Sequence, residues 1–277
     1  MKRYRVLNIT FDTRANILNH EIKQEWEPKI KLSWEQNKKN IIEGLIYQFG
    51  SDLISEKINN FKELGPAPFS VIAFHNKFLC QARFAYVMGY YYPALTAICA
   101  LGERILNQLI LHLRNYYKST PEYKNVYRKQ SFDNWITSID TLEAWDILLP
   151  DSVKFFRELK IIRDSSIHFK PEIDTNDKDL ALKAINKLTE IVNIQFGTFG
   201  LQPWYIPNIK GATFVKKQYE NVPFVKEIIL PNSYLVGYLH TLEYVNNKRI
   251  AHDNHNYEAK VISDEEFTEL FNNKKIN

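Results

Sequence analysis

The sequence predicts a mainly α-helical protein, a helical bundle with an N-terminal strand and helix extension and a small C-terminal antiparallel β extension. Three observations carry that expectation. Across 69–196 apolar residues recur at spacings of three and four, the period of helices that bury one face. Ahead of that stretch a β-rich segment, 4–11, precedes charged helical patterns. Beyond Gly197 the chain breaks into short β-branched and aromatic runs parted by turn residues, which is how strands read. The chain has 277 residues, more than a usual single domain. Composition shifts divide it into an N-terminal extension (1–66), a central helical domain (67–198) and a C-terminal linker, meander and final helix (199–277).

Each element has its local reason. The segment 4–11 alternates in part before Asp12 and Asn16 interrupt it. After Pro28, Leu32, Ile41, Leu45 and Phe49 can share a helical face. Ser51 is placed to cap a further helix as far as Leu64, and Gly65-Pro66-Ala67-Pro68 stops it. A helical hairpin follows. Its first arm carries Phe74, Phe78, Ala82, Ala85 and Met88, and its second runs from Pro93 through Leu95, Ile98, Leu101, Ile105, Leu109 and Leu113. Proline suits the first turn, where its missing N–H would go unpaired. Trp135, Ile139, Leu142 and Trp145 mark the next helix; Phe155, Leu159, Ile162, Ser166 and Phe169 the one after; Leu182, Ile185, Leu188 and Val192 the last of the bundle. Strands are expected at 213–216, 224–230, 234–240, 244–252 and 257–262. Ser263 and Glu266 read as a capping box that opens a final helix.

Charge and composition exclude several classes. A net charge of +4 is compatible with a polyanionic partner without requiring one. Cys80 and Cys99 sit in apolar helical patterns and read as buried reduced thiols. The basic N-terminus lacks the apolar run of a signal peptide, and no stretch reaches the roughly 18 apolar residues of a membrane span. A cytoplasmic protein without membrane contact is expected. His252, Asp253, Asn254 and His255 are closely spaced, but without cysteine or a carboxylate pair they read as a hairpin turn instead of a zinc site. No metal and no cofactor are expected.

The polar residues that the helical stripes leave over are Arg163, Asp164 and His168, near the end of a helix that Pro171 stops. The phrase LKIIRDSSIHF, with an arginine, a polar residue and then a histidine, resembles the HEPN superfamily, as does the run GYYYPALTAICALGERIL. The resemblance covers roughly 69–200. It implies a HEPN-like bundle that dimerises so that two copies of the motif face each other across a cleft. Many members are metal-independent endoribonucleases; others have lost activity. A toxin or defence effector, held by an inhibitory partner protein, is the biological role such a resemblance suggests. Arginine followed by histidine within the same window also occurs at Arg14 and His20 and at Arg249 and His255. Arg14 sits in an expected loop and Arg249 in an expected strand, so only the third copy has a helical setting.

RNA cleavage to a cyclic phosphate needs a group to move the 2′-hydroxyl proton and a cation to stabilise charge on the phosphate. Histidine's ordinary pKa lies near neutrality, which suits His168 to act as general base or acid, and Arg163 offers a fork matched to phosphate oxygens. Asp164 either orients one of them or caps the surface. Glu103, on the preceding helix, either helps orient the site in trans or makes a surface ion pair with a neighbouring arginine. Lys118, Lys124, Arg128 and Lys129, interleaved with tyrosines, read as an RNA-contacting loop or a solvated connector. On an ideal helix Arg163 and His168 stand roughly 140° apart, so acting together requires a bent last turn, a wrapped arginine or a second subunit. The expected activity is a homodimeric endoribonuclease acting on RNA. The alternative is a non-catalytic helical module of the same fold that dimerises or binds a partner or nucleotide.

Overall fold

The computed structural model describes residues 1–167, 176–199, 201–246, 248–258 and 260–274. Its order is β1 (Arg3–Val6), β2 (Thr10–Asp12), α1 (Arg14–Asn19), α2 (Pro28–Phe49), α3 (Ile54–Glu63), β3 (Ala67–Ser70), α4 (Ala73–Val87), α5 (Tyr91–Leu113), α6 (Tyr123–Val126), α7 (Trp135–Ala144), α8 (Pro150–Ile167), α9 (Asp177–Phe196), β4 (Ser233–Val236), β5 (Thr241–Val245), β6 (Lys248–His252) and α10 (Asp264–Asn272). The fold is mainly helical with small antiparallel sheets, as the apolar periodicity predicts.

The centre of the bundle is α5, packed against α4, α7, α8 and α9. Leu95, Ile98, Leu101, Ile105, Leu109 and Leu113 are all buried, each contributing about 1.5–3 kcal/mol of apolar transfer. Among the described residues this helix, extended to Tyr116, is the one long and apolar enough to cross a bilayer; here its apolar surface meets the neighbouring helices. It turns back from α4 through Gly89, at φ +80°, a left-handed position that glycine occupies without a Cβ clash. Gly89 N–H donates to Tyr86 O and Tyr90 N–H to Ala85 O at 3.0 and 2.8 Å, the paired bonds of a Schellman cap. Asn134 caps α7 through Thr137 N–H at 3.3 Å, and Ser263 caps α10 through Glu266 N–H at 3.1 Å.

The tightest crossing lies at Gly102. A Cβ there would stand 2.6 Å from Trp135 Cη2 and 3.0 Å from Leu159 Cδ2, so α7 and α8 approach the bare backbone of α5.

The chain's two ends meet. β1 pairs antiparallel with β4, with Arg3 opposite Val236 and Val6 opposite Ser233. β2 pairs with β3, and β5 with β6. The C-terminal strands therefore do not form a consecutive meander, because β4 takes β1 as its partner. A second, smaller core of Ile206, Phe214, Val236, Ile262, Phe267 and Phe271 lies beneath them.

Several local expectations are corrected. The segment 224–230 is not a strand but contains a π-helical turn, Val225–Ile229; Val225 and Ile229, four apart, both point into the main core, and their β-branching is overridden by that spacing. The expected strand at 257–262 does not form among the described residues, and 213–216 makes only isolated bridges from Phe214 and Val215. Arg14 opens a helix rather than lying in a loop. α3 begins after Leu53, whose φ is +48°, so Ser51 is not its cap. Leu32 is exposed, and Cys80 is exposed while Cys99 is buried. On α4 the buried positions among the described side chains are Leu79, Ala82, Arg83, Tyr86 and Val87, and Phe78 is exposed. The side chain of Phe74, together with His168, Phe169 and Pro171, lies outside the described residues.

Substituting Gly102→Ala forces the indole of Trp135 or the isobutyl group of Leu159 to shift. A loss of about 1–3 kcal/mol is expected from overpacking, measured by urea denaturation.

Candidate active site

The crossing at Gly102 decides what stands beside Arg163. Glu103 follows Gly102 on α5, and Arg163 lies one turn beyond Leu159 on α8, so the contact between Gly102 and Leu159 brings the two charged side chains together. Arg163 Nη2 donates to Glu103 Oε2 at 3.2 Å, and Nη1 donates to Asp164 Oδ1 at 3.1 Å. The same Glu103 oxygen accepts Trp135 Nε1–H at 3.0 Å. The guanidinium carbon lies 5.8 Å from the Trp135 ring centre, within cation–π range. Glu103 is thus held by a rigid indole on α7 and in turn holds Arg163.

Asp164 is shared. Its Oδ2 accepts a bond from Lys160, one turn earlier on α8, while Oδ1 accepts from Arg163. The Lys160 bond, then the Arg163 bond, hold its carboxyl below the usual range. Of the roles expected for Glu103, the ion pair with an arginine forms, and that arginine is Arg163 of its own chain. The four side chains sum to no net charge, so any added anion would have to displace one carboxylate to reach the Arg163 fork. Asp164 is the easier to displace because Lys160 remains to pair it.

The last described turn of α8 is dense in hydroxyls. Ser165 Oγ donates to Ile162 O at 2.8 Å and Ser166 Oγ to Arg163 O at 3.2 Å, bonds that compete with the helix ladder. Ser166 is buried beside Cys99, whose thiol is pushed up to about 12, chiefly by burial. That thiol stays protonated and is no nucleophile at neutral pH. His168, the other predicted catalytic residue, lies outside the described residues.

Next to Glu103 an open groove of about 430 Å³ runs between α4 and α5, with Phe78, Gln81, Arg104, Asn107 and Gln130 among its lining. Arg104 stacks on Phe78 at 4.9 Å. Asn107 pins the far wall, donating to Phe132 O at 2.9 Å and accepting from Phe132 N–H at 2.7 Å. The basic segment ends at this rim. Arg114 donates to Val126 O and Lys129 O and so ties the segment to α5. Lys118, Lys124, Arg128 and Lys129 are all exposed, and none forms an ion pair with Glu103 or Asp164.

The two other arginine–histidine pairs are occupied differently. Arg14 pairs with Asp12 at 2.8 Å, and His20 stacks on Trp34 at 4.8 Å between ring centres. Arg249 lies on β6, and His255 packs against Tyr257 with ring centres 6.3 Å apart. Among the described residues no three His, Cys, Asp or Glu side chains gather as a metal site. Sequence reading missed Trp135 and Lys160 as parts of the cluster. The four-residue spacing of Lys160 and Asp164 was a visible signal; Trp135 has none, since only the Gly102 crossing brings it to Glu103. No family model, curated protein or solved structure matches the chain.

A double-mutant cycle of Arg163→Gln and Glu103→Gln in low salt should give a coupling of about 0.5–1 kcal/mol, the range of a partly exposed ion pair. No coupling in urea denaturation shows the clamp to be absent. The folded Asp164 carboxyl titrates below its ordinary value of 3.8. Its stabilisation is complete above that value and is lost as pH falls through the lower folded one. Asp164→Asn should flatten that part of the acid unfolding curve.

Proposed function

We propose that the protein is a metal-independent endoribonuclease of HEPN type that acts as a homodimer on RNA. The observation that supports this most is the clamp on Arg163: a guanidinium at the end of α8, fixed by a Glu103 that is itself fixed by Trp135, five residues before His168. In this reading Arg163 turns its Nη1 from Asp164 to a phosphate oxygen, while Glu103 keeps the guanidinium oriented and Lys160 keeps Asp164 paired. His168 accepts the 2′-hydroxyl proton, the 2′-oxygen bonds to phosphorus, and the bond to the 5′-oxygen breaks. That oxygen takes a proton from an acid, which the facing copy of His168 supplies in a two-fold dimer. A cytoplasmic toxin or defence effector restrained by an inhibitory partner fits such chemistry.

One observation favours a second reading. Arg163 is already neutralised by Glu103 and Asp164, the arrangement of a non-catalytic dimerisation or partner-binding module that uses the cluster to hold helices together.

The two part in one assay. Mixed RNAs are incubated with wild-type protein, Arg163→Ala and His168→Ala in excess chelator, alongside toxicity on expression. Cleavage by wild type and a loss of about 100-fold or more in each variant are expected. Absent cleavage, or equal cutting by the variants, ends the nuclease reading.

A further inference from the structure

The smaller core holds a buried cation with no counter-charge among the described residues. β1 carries Arg3 and Arg5 two residues apart, and so on one face of the strand. Arg3 shows how this fold compensates such a group: Nε donates to Asp264 Oδ1 at 2.6 Å, Nη2 to Ile262 O at 2.7 Å and Nη1 to Lys2 O at 3.0 Å. Arg5, 8% exposed, has a different setting. Its Nη1 donates to His240 Nε2, and the ring's Nδ1–H donates to Gly237 O at 2.6 Å. With Nε2 accepting, that imidazole is neutral and brings no negative charge. Phe214 and Phe271 flank the guanidinium, each with its ring centre 5.8 Å away.

The rest of the surroundings are positive. Lys274 stands 4.1 Å from the centre of the Phe271 ring, and Arg249 acts on Arg5 from β6. Burial and then Arg5 push the Lys274 amine down; burial and then Arg249 push Arg5 down to about 10. Asp253, the carboxylate that acts on His240, is engaged by Gly237 N–H, Tyr257 Oη–H and Lys2 Nζ. Arg5 Nε is buried with no partner, and Nη2 has no acceptor among the described residues. These two N–H groups form the side edge of the guanidinium, which matches two oxygens of one oxyanion. A buried cation is retained at a cost unless an opposite charge joins it.

We propose that this cluster binds a doubly charged oxyanion of the phosphate class on the Nε–Nη2 edge of Arg5, with Lys274 and Arg249 adding positive charge. Three cations without a free carboxylate among the described residues favour a dianion over a carboxylate monoanion. The site lies in the small C-terminal core and is independent of the nuclease reading. Its occupant is either free phosphate or the phosphate of a small monoester.

The full chain in a phosphate-free buffer is titrated with inorganic phosphate, adenosine 5′-monophosphate and acetate at matched ionic strength, with calorimetry and thermal unfolding as readouts. Saturable binding and a rise in Tm with phosphate or the monoester are expected, with acetate at least about tenfold weaker. Preference between phosphate and the monoester identifies the source. Because Arg5 is buried and its replacement can unfold the small core, the variants are Lys274→Gln and Arg249→Gln, which should each weaken binding several-fold. In wild type the His240 imidazole, which burial lowers to about 4, should titrate higher when the anion is bound. No saturable binding, acetate binding as tightly as phosphate, or binding indifferent to both variants overturns the proposal.

Discussion

The approach of Trp135 and Leu159 to the bare backbone at Gly102 determines where three helices of the bundle cross. Helix α5 is apolar on several sides and must be covered by α4, α7, α8 and α9. Covering it is a non-directional demand that many arrangements would meet. Contact at a glycine is specific, because no other residue leaves room for an indole edge at that distance. Once α7 and α8 lock there, Glu103 lies beside the last turns of α8, and the indole N–H of Trp135 has one carboxylate within reach.

The charged cluster is therefore a product of core packing. Arg163 is oriented from below by Trp135 and from the side by Glu103, while Asp164 is divided between Arg163 and Lys160. This arrangement restrains the guanidinium, so on the proposed nuclease reading a phosphate would meet a group whose rotamers are already limited. It also sets a threshold, since the ligand must offer more than the carboxylate it displaces. On the nuclease reading we propose, such competition would favour a polyanion such as RNA, whose neighbouring phosphates can engage surface cations together.

Much of this fold was readable from residue spacing. The apolar repeats located α5, α7 and α9, and Ser263 with Glu266 marked the start of α10. These signals are local, and local physics produces them. Spacing misled where tertiary contact decided the outcome. Val225 and Ile229 have the side chains of strand residues but turn inward together on one helical face. Tyr4 and its neighbours read as a strand, yet nothing in 4–11 shows that Ser233–Val236 is the partner of β1. At the site, Arg163, Asp164 and Glu103 were each recognisable as polar residues left outside a stripe. That Glu103 meets Arg163 within one chain, through Trp135, depends on a helix crossing that no spacing encodes. The uncompensated Arg5 was likewise invisible, since an arginine in a short strand pattern carries no sign of its burial.

Whether Arg163 meets RNA through its fork is read most directly from its own guanidinium. Nitrogen-15 NMR of the Arg163 Nε–H and Nη–H groups can be followed during titration with an oligonucleotide blocked at the 2′-oxygen. Saturable movement of those signals, lost when Glu103 is replaced by glutamine, is the predicted result. Arg163 signals that stay fixed while RNA binds elsewhere on the protein contradict the account.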